Sequence, residues 1–438
     1  MTALNPETLI RRAAKCVAAT SASIFALTGN AVDVGGLPVK GFLQSEYAYT
    51  VADPSHPSKF LNRLELSLQG KFSEIVQWKV SGGFAYNAVF DVTDYYPGNV
   101  RQDQRREFIA RENYLDFSSG DWNLRLGRQH IIWGEVPGIF MADVVSAKDQ
   151  REFLLTEFEL LRIPQWAARG EYFKDDFHAE LVWVPVMSYD QIGKPGAEFY
   201  PFSPTPLPGF GLVIDNERRP SRTIDNSAYG IRLSYVKDGW DGALFLYNSP
   251  DASPVFVREI VTAPTPTIIF HPEHHKIQQF GGTLTKDLGP AVLKFEGVYT
   301  AGREFNVTRL TDADGVVRQD TFDYLIGLDF PLENESRLNV QFFQRVYRNH
   351  DPDILPEHIE SGATFLYSTK FGSSIEPQLL VVHSLNRSEW MARPRVTWTP
   401  APNWRVAFGA DYFDGPLTGL FGRFRDKDRV YVEVRRSF

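Results

Sequence analysis

Cysteine is nearly absent from this chain: Cys16 is the only one. A disulfide framework and a multi-cysteine metal site are both excluded. Basic residues are in deficit, with 46 Lys and Arg against 54 Asp and Glu. The resulting formal charge of −8 offers no basic surface to nucleic acid, so no nucleic-acid partner is expected. No apolar run of about 18 residues occurs beyond the N-terminal region, which excludes a spanning helix there. Gly-rich phosphate loops, zinc-binding helix motifs and dinucleotide fingerprints are missing too. Neither a cofactor nor a resident metal is therefore expected.

Aromatic residues are abundant at 14%, with 33 Phe, 18 Tyr and 9 Trp. Aromatic belts at two membrane interfaces would use them. The N-terminus reads as a secretory signal over residues 1–31. Arg11, Arg12 and Lys15 form its basic part, Cys16 to Leu27 its apolar part, and Gly29-Asn30-Ala31 a small-residue cleavage site. Residues 32–438 then read as one domain.

Period-two alternation runs through that domain. Leu64, Leu66 and Leu68 oppose Arg63, Glu65 and Ser67; Trp404, Val406 and Phe408 oppose Arg405, Ala407 and Gly409. The C-terminal segment alternates most strictly. Val430, Val432, Val434 and Phe438 share one face, and Tyr431, Glu433, Arg435 and Ser437 the other. An apolar-out, polar-in strand closed by Phe reads as the last strand of an outer-membrane barrel. Phe438 would then be the residue that barrel assembly machinery reads.

Turn lengths support the same class. Short polar turns fall at 72–74, 118–121, 174–176, 237–239, 286–289, 332–335, 372–374 and 399–402. Between them lie mostly longer segments: 90–106, 132–163, 188–222, 250–272, 302–317, 348–358 and 414–427. Short periplasmic turns and long outer loops are the sidedness of an outer-membrane barrel. The fold expected is all-β, a transmembrane antiparallel barrel of about 18 strands, 16–18 if one hairpin is misread. A soluble sandwich would need shorter strands and a buried aromatic face.

Two loops stand out. Segment 132–163 carries Phe140, Val144, Val145, Phe153, Leu154 and Leu155, which is too apolar for a wet surface loop. A short amphipathic helix packed inside the lumen is expected there. Segment 188–222, rich in Pro and Gly, reads as an outer lid loop.

The inward face is charged in both signs. Its basic candidates are Arg63, Lys71, Lys79, Arg125, Arg169, Arg232, Lys294 and Arg345, with Arg393, Arg395 and Arg405 as a patch on neighbouring strands. Its acidic candidates are Glu65, Glu171, Glu180, Glu296, Asp323, Asp329 and Asp411, with Asp143, Asp149, Glu152 and Glu157 on the loop. Such a wall suits small solutes and would favour anions through its basic patch. The competing reading is a wall of paired charges that sorts nothing, since opposite cross-strand pairs are ordinary sheet stabilisers.

Strict alternation would aim Arg128 at lipid, so a bulge at Gly127 or the end of the membrane span is expected there. Leu126-Gly127-Arg128-Gln129, then Trp133-Gly134, Ala142-Asp143, Asp149 and Arg162-Ile163-Pro164, resembles an uncharacterised family of porin-like Gram-negative outer-membrane proteins. The Leu-Gly-Arg-Gln element also resembles alginate-export and phosphate-porin type barrels. Arg436 departs from the apolar residue or Tyr usual at that place. The resemblance implies a barrel whose long loop folds inward and narrows the pore, and so a constricting role for 132–163.

His271-Pro272-Glu273-His274-His275 is the densest histidine cluster. It lacks a spacing that would fix a metal geometry, and a solvated loop is the reading preferred. His383 and Ser384 are adjacent on a strand and point to opposite faces, so they make no catalytic pair and no enzyme is expected. Three functions remain. The first is a diffusion channel for small solutes, anions among them. The second is the outer-membrane part of an export system for a polysaccharide or lipid-like product. The third is a closed structural or adhesive barrel. The partners expected are outer-membrane lipid, lipopolysaccharide and a small-molecule solute, with a homo-oligomer left open.

Overall fold

A computed structural model describes residues 33–134, 136, 141–204 and 207–438. The signal segment 1–31 and Phe140 of the long loop lie outside the described residues. Eighteen antiparallel strands close into one barrel. They are β1 (Lys40–Thr50), β2 (His56–Lys71), β3 (Val76–Asn87), β4 (Arg106–Ser119), β5 (Trp122–Gln129) and β6 (Gln165–Lys174). Next come β7 (Phe177–Val186), β8 (Ala228–Lys237), β9 (Trp240–Pro250), β10 (Lys276–Asp287), β11 (Val292–Asn306) and β12 (Val316–Pro331). The circuit ends with β13 (Arg337–Arg348), β14 (Ile359–Ser368), β15 (Ile375–Ser384), β16 (Trp390–Trp398), β17 (Trp404–Asp414) and β18 (Arg429–Ser437).

β18 pairs with β1 from Arg429↔Thr50 to Ser437↔Phe42. Reciprocal backbone bonds of 3.0 Å between Gly41 and Phe438 extend the seam. Closure leaves no strand edge, which is what a hydrocarbon environment demands of a sheet.

All eight short turns join neighbouring strands at one end of the barrel. Nine connections lie at the other end. Two of these, 51–55 and 385–389, are as short as the turns, so loop length alone could not mark them as outer connections.

The faces follow the alternation. Leu181 and Leu244 are each 61% exposed on the outside, while Val182 and Ala243, next to them in sequence, are buried inside. At the tight-turn end, Phe72, Trp122, Phe173, Trp240, Phe371 and Trp398 are exposed as a girdle. Arg436, on the outer face, lies 5.3 Å over the Trp404 ring, and Lys286 lies 4.9 Å over Trp240. Both cations can reach the interface with their apolar stems along the rings, which accounts for Arg436 on this face.

The pattern breaks near Arg128. β5 stops at Gln129, so Arg128 falls at the end of the strand. Gly127 has φ of +129°, and a Cβ on it would meet the Asn113 carbonyl oxygen at 2.3 Å. Opposite, β4 slips register between Val80 and Gly82 of β3. Arg111 and Glu112 both bond to lumen-side groups as a result, Arg111 to Glu65 and Glu112 to Lys79. Replacing Gly127 by Val should lower the temperature at which the compact, unheated form is lost on a denaturing gel. An unchanged transition would show that the close approach at this site is dispensable.

Candidate functional site

The connection after β5, residues 130–164, turns inward and touches both arcs of the wall. Its first half is held by β7, β8, β9 and β11. Trp133 is 1% exposed and packs on Phe245 and Tyr247, with its Nε1 donating to Glu180 at 3.0 Å. Gly230 makes the room, since a Cβ there would lie 2.8 Å from the indole. Glu296 accepts from the backbone nitrogens of Val136 at 2.9 Å and Ala142 at 3.0 Å.

The second half is held by β16, β17, β18 and β2. Arg393 donates to the carbonyls of Leu154 at 3.1 Å and Leu155 at 2.7 Å. The Glu157 carboxylate receives Arg395 at 3.2 Å, Arg405 at 2.6 Å and Arg435 at 3.0 Å. Glu152 takes Arg429 at 2.7 Å and Lys59 at 3.3 Å. Phe153 and Leu155 pack against Met391, Phe413, Phe421 and Phe424. The apolar composition of this loop thus reflects burial against an apolar stretch of wall. Asp149 pairs with Arg151, whose guanidinium also reaches Glu107 at 2.7 Å, and Asp143 pairs with Arg162 at 2.7 Å.

The amphipathic helix expected here is reduced to one turn, Phe158–Leu161. The wall explains this. Carboxylates and guanidiniums of the strands satisfy the loop's backbone groups, so a longer helical ladder is not needed.

A second segment lies over the first. Gln191 donates its backbone N–H to the Lys148 carbonyl at 2.9 Å and accepts from Gln150 at 2.8 Å. Buried Glu198 binds Thr50 at 2.8 Å, His56 at 3.0 Å and Tyr96 at 2.9 Å. The stretch 188–204 of the expected lid is thus pinned inside the barrel mouth. Gly211–Ile214, further along it, joins a small sheet with Thr267–Glu273 and Val255–Val261.

Nearly all the inward charges meet opposite charges. Lys79 pairs with Glu112, Arg125 with Asp116, and Arg345 with Asp323. Arg337 pairs with Asp329. Arg169 reaches Glu171 at 2.8 Å and Glu180 at 3.0 Å. Those two carboxylates and His178 lie within 4.8 Å of one another, but Arg169 already compensates them. Arg232 faces Glu180 across the sheet, and Lys294 faces Thr285 and Gly327. Arg63 has no ion pair among the described residues.

Arg393, Arg395 and Arg405 do lie together as the sequence suggested, and the same wall carries Asp411 and Glu433. Asp411 joins Arg393 and Arg429 at 2.8 Å each, and Glu433 joins Arg405 at 2.7 Å. The sequence reading missed Arg429 and Lys59 as loop anchors. Their signal was alternation, which puts Arg429 in the set of Tyr431 and Glu433, and Lys59 in the set of Arg63 and Glu65. It also missed Glu112, which the register slip hides.

The loop crosses the lumen and divides it unequally. A pocket of about 70 Å³ lies between it and the wall of β16–β18 and β1–β4. On the other side a cavity of about 720 Å³ runs along β10–β16. Its lining holds Lys148, Arg303, Arg345, Arg393, Arg395 and His275 among basic groups, and Glu157, Asp190, Asp251, Glu273 and Glu304 among acidic ones.

A family model matches residues 55–438. The chain belongs to the family described as "Protein of unknown function (DUF1302)". This DUF1302 chain matches no curated protein. Its fold is similar to that of OccAB1 of Acinetobacter baumannii, with TM-score 0.57 and 9% identity over 92% of this chain and 97% of that one. It is also similar to OccK3 (OpdO) of Pseudomonas aeruginosa, with TM-score 0.52 and 10% identity over 91% and 95% of the two chains. OccAB3 of Acinetobacter baumannii gives TM-score 0.52 and 11% identity over 92% and 100%. At these identities the likeness establishes the barrel fold.

The histidine cluster lies in the outer sheet and its flanks, where each ring takes a carboxylate. His271 bonds Glu259 at 2.7 Å and Asp215 at 3.2 Å; His274 bonds Glu217 at 2.8 Å; His275 bonds Glu304. Instead of the solvated loop expected there, residues 267–273 form the central strand of that small sheet, paired on both sides, and His274 and His275 follow it. Burial works against ionised Glu217, but hydrogen bonds from His274 and Arg219 outweigh it and bring its carboxyl down to about 2. The Glu304 hydrogen bond holds His275 above its ordinary value of 6.5, with burial opposing. That pair therefore stabilises the outer sheet at low pH and is lost as pH rises through the raised value. The His275 ring should titrate above 6.5 by NMR and return to the ordinary range in Glu304→Gln.

Glu157 makes a second test. Replacing it with Gln removes the one charge shared by three guanidiniums, and losing one partner of such a network costs about 3–5 kcal/mol. Amide exchange across 150–161 should rise by roughly tenfold or more. Wild-type protection would mean that packing of Phe153 and Leu155 suffices.

Proposed function

We propose that this DUF1302 protein is a porin-like channel in the outer membrane of a Gram-negative cell. It passes small solutes and catalyses no reaction. The observation that carries this reading is the unequal division of the lumen. The loop leaves a pocket of about 70 Å³ against β16–β18 and β1–β4 and a cavity of about 720 Å³ along β10–β16. A barrel filled for structural purposes would have both sides packed. The Leu-Gly-Arg-Gln element, with its likeness to alginate-export and phosphate-porin type barrels, supports the same reading. Outer-membrane lipid, lipopolysaccharide and barrel assembly machinery are the partners it implies.

In this reading residues 132–163 form the constriction, and Asp143, Asp149, Glu152 and Glu157 fasten it. The balanced lining makes ion selectivity weak, with Arg393, Arg395 and Arg405 orienting a solute more than sorting it by charge. Steady openings are expected from refolded protein in a planar bilayer. Deleting 140–160 should raise the conductance. The triple change Arg393→Ala, Arg395→Ala and Arg405→Ala should lower anion preference under a salt gradient. No current from a barrel that still shows heat-dependent mobility would overturn the channel reading. An unchanged conductance in the folded deletion would overturn the constriction.

A further inference from the structure

The wall of the larger cavity is unlike a purely polar passage. Phe343 of β13, Leu366 of β14 and Leu380 of β15 line one side. Leu154 and Phe158 of the inward loop line it as well, and Phe158 remains 37% exposed. Leu420, 46% exposed, adds to this lining from the outer connection before β18. Apolar side chains inside a wet conduit disfavour a continuous water column and raise the barrier to ions. They lower it for a solute that brings apolar surface of its own.

Polar groups share the same strands. Gln341, Thr364 and Gln378 line the cavity beside the apolar residues. Thr364 is 3% exposed, and its buried Oγ1 has no hydrogen-bond partner among the described residues. That oxygen is closed off from the cavity as well, so the half-buried amide of Gln378 is the donor and acceptor that this wall presents to a ligand. The charges of the lining are already paired, Arg303 with Asp251, His275 with Glu304 and Arg395 with Glu157, so an ionic head finds them compensated. The volume of about 720 Å³ falls inside the range of about 300–1,000 Å³ typical of small-molecule sites.

We infer that the cavity is a binding slot for uncharged amphipathic small molecules, with a flat or linear apolar body and one hydroxyl-bearing end. The apolar body lies between Phe158 and the Leu366–Leu380 wall. The polar end is hydrogen-bonded by the amide of Gln378. This inference rests on the channel reading and names the class of solute that the channel selects.

Membrane-impermeant glycosides can test it. Glucose and phenyl β-glucoside are added separately to the full mature protein in a planar bilayer, and interruption of the ionic current is recorded. Phenyl glucoside should block with an affinity at least about tenfold above that of glucose, as burial of one ring allows. In Phe158→Ser and in Leu366→Asn that ratio should fall below about threefold. Gln378→Leu should weaken block by both sugars while leaving the ratio in place. Equal block by the two sugars in a conducting wild-type channel would overturn the slot and leave the channel reading standing. A high ratio that survives in both apolar variants would place binding elsewhere and overturn the slot as well. Folded protein with no current would overturn the channel reading and the inference together.

Discussion

The whole arrangement depends on the register at which β18 closes onto β1. Hydrocarbon offers no partner to a free backbone group, so the sheet must close, and it must close in one register. Side chains alternate with period two, and a slip of one residue would reverse every face on the slipped strand. At the seam that would send Glu433 and Arg435 to lipid and bring Val432 and Val434 into the lumen. Charged residues on the lipid face cost about 2–4 kcal/mol each near the midplane. The pairing of Glu433 with Glu46 across the seam, tolerable only with Arg405 and Lys59 on either side, shows the same register from the inside.

Once the faces are set, the inner wall has an electrostatic problem of its own. β16, β17 and β18 bring Arg393, Arg395, Arg405, Arg429 and Arg435 into one neighbourhood, while that wall supplies only Asp411 and Glu433 as nearby counter-charges. The inward loop provides the rest through Glu152 and Glu157. Loop and wall are therefore each incomplete without the other. Desolvated guanidiniums would be costly unpaired, and the loop carboxylates would be equally costly without them. This reciprocity fixes where the loop lies more firmly than its own backbone conformation does.

The barrel was largely legible in the residues. Alternation and eight polar turns yield eighteen strands because each strand repeats the same local rule. Two short outer connections, 51–55 and 385–389, escaped because length was the only signal of side. The charged wall was legible residue by residue, but its pairing was not. Arg405 and Glu157 are far apart in sequence, and no local pattern states that they meet at 2.6 Å. The apolar character of 132–163 marked it as buried. It suggested a helix only because sequence carries no trace of Glu296 and Arg393, the wall groups that replace helical hydrogen bonds.

For the channel we propose, the consequence lies in the asymmetry. A loop anchored by charge alone could sit anywhere along a ring of mixed charges. Here Phe153 and Leu155 enter an aromatic cluster with Phe413, Phe421 and Phe424, which ties the charge contacts to one arc of the wall. The charges on that arc are spent on the loop, and the adjoining strands β13–β15 carry Phe343, Leu366 and Leu380 along the open side, with Phe343 and Leu380 touching the same cluster. The same contacts that narrow the lumen therefore also decide its chemistry: they remove net charge from the passage and leave an apolar surface beside a row of amides. In such a channel, selection among solutes would fall to shape and apolar area, which act at short range, because the long-range field of the arginines is cancelled where they stand.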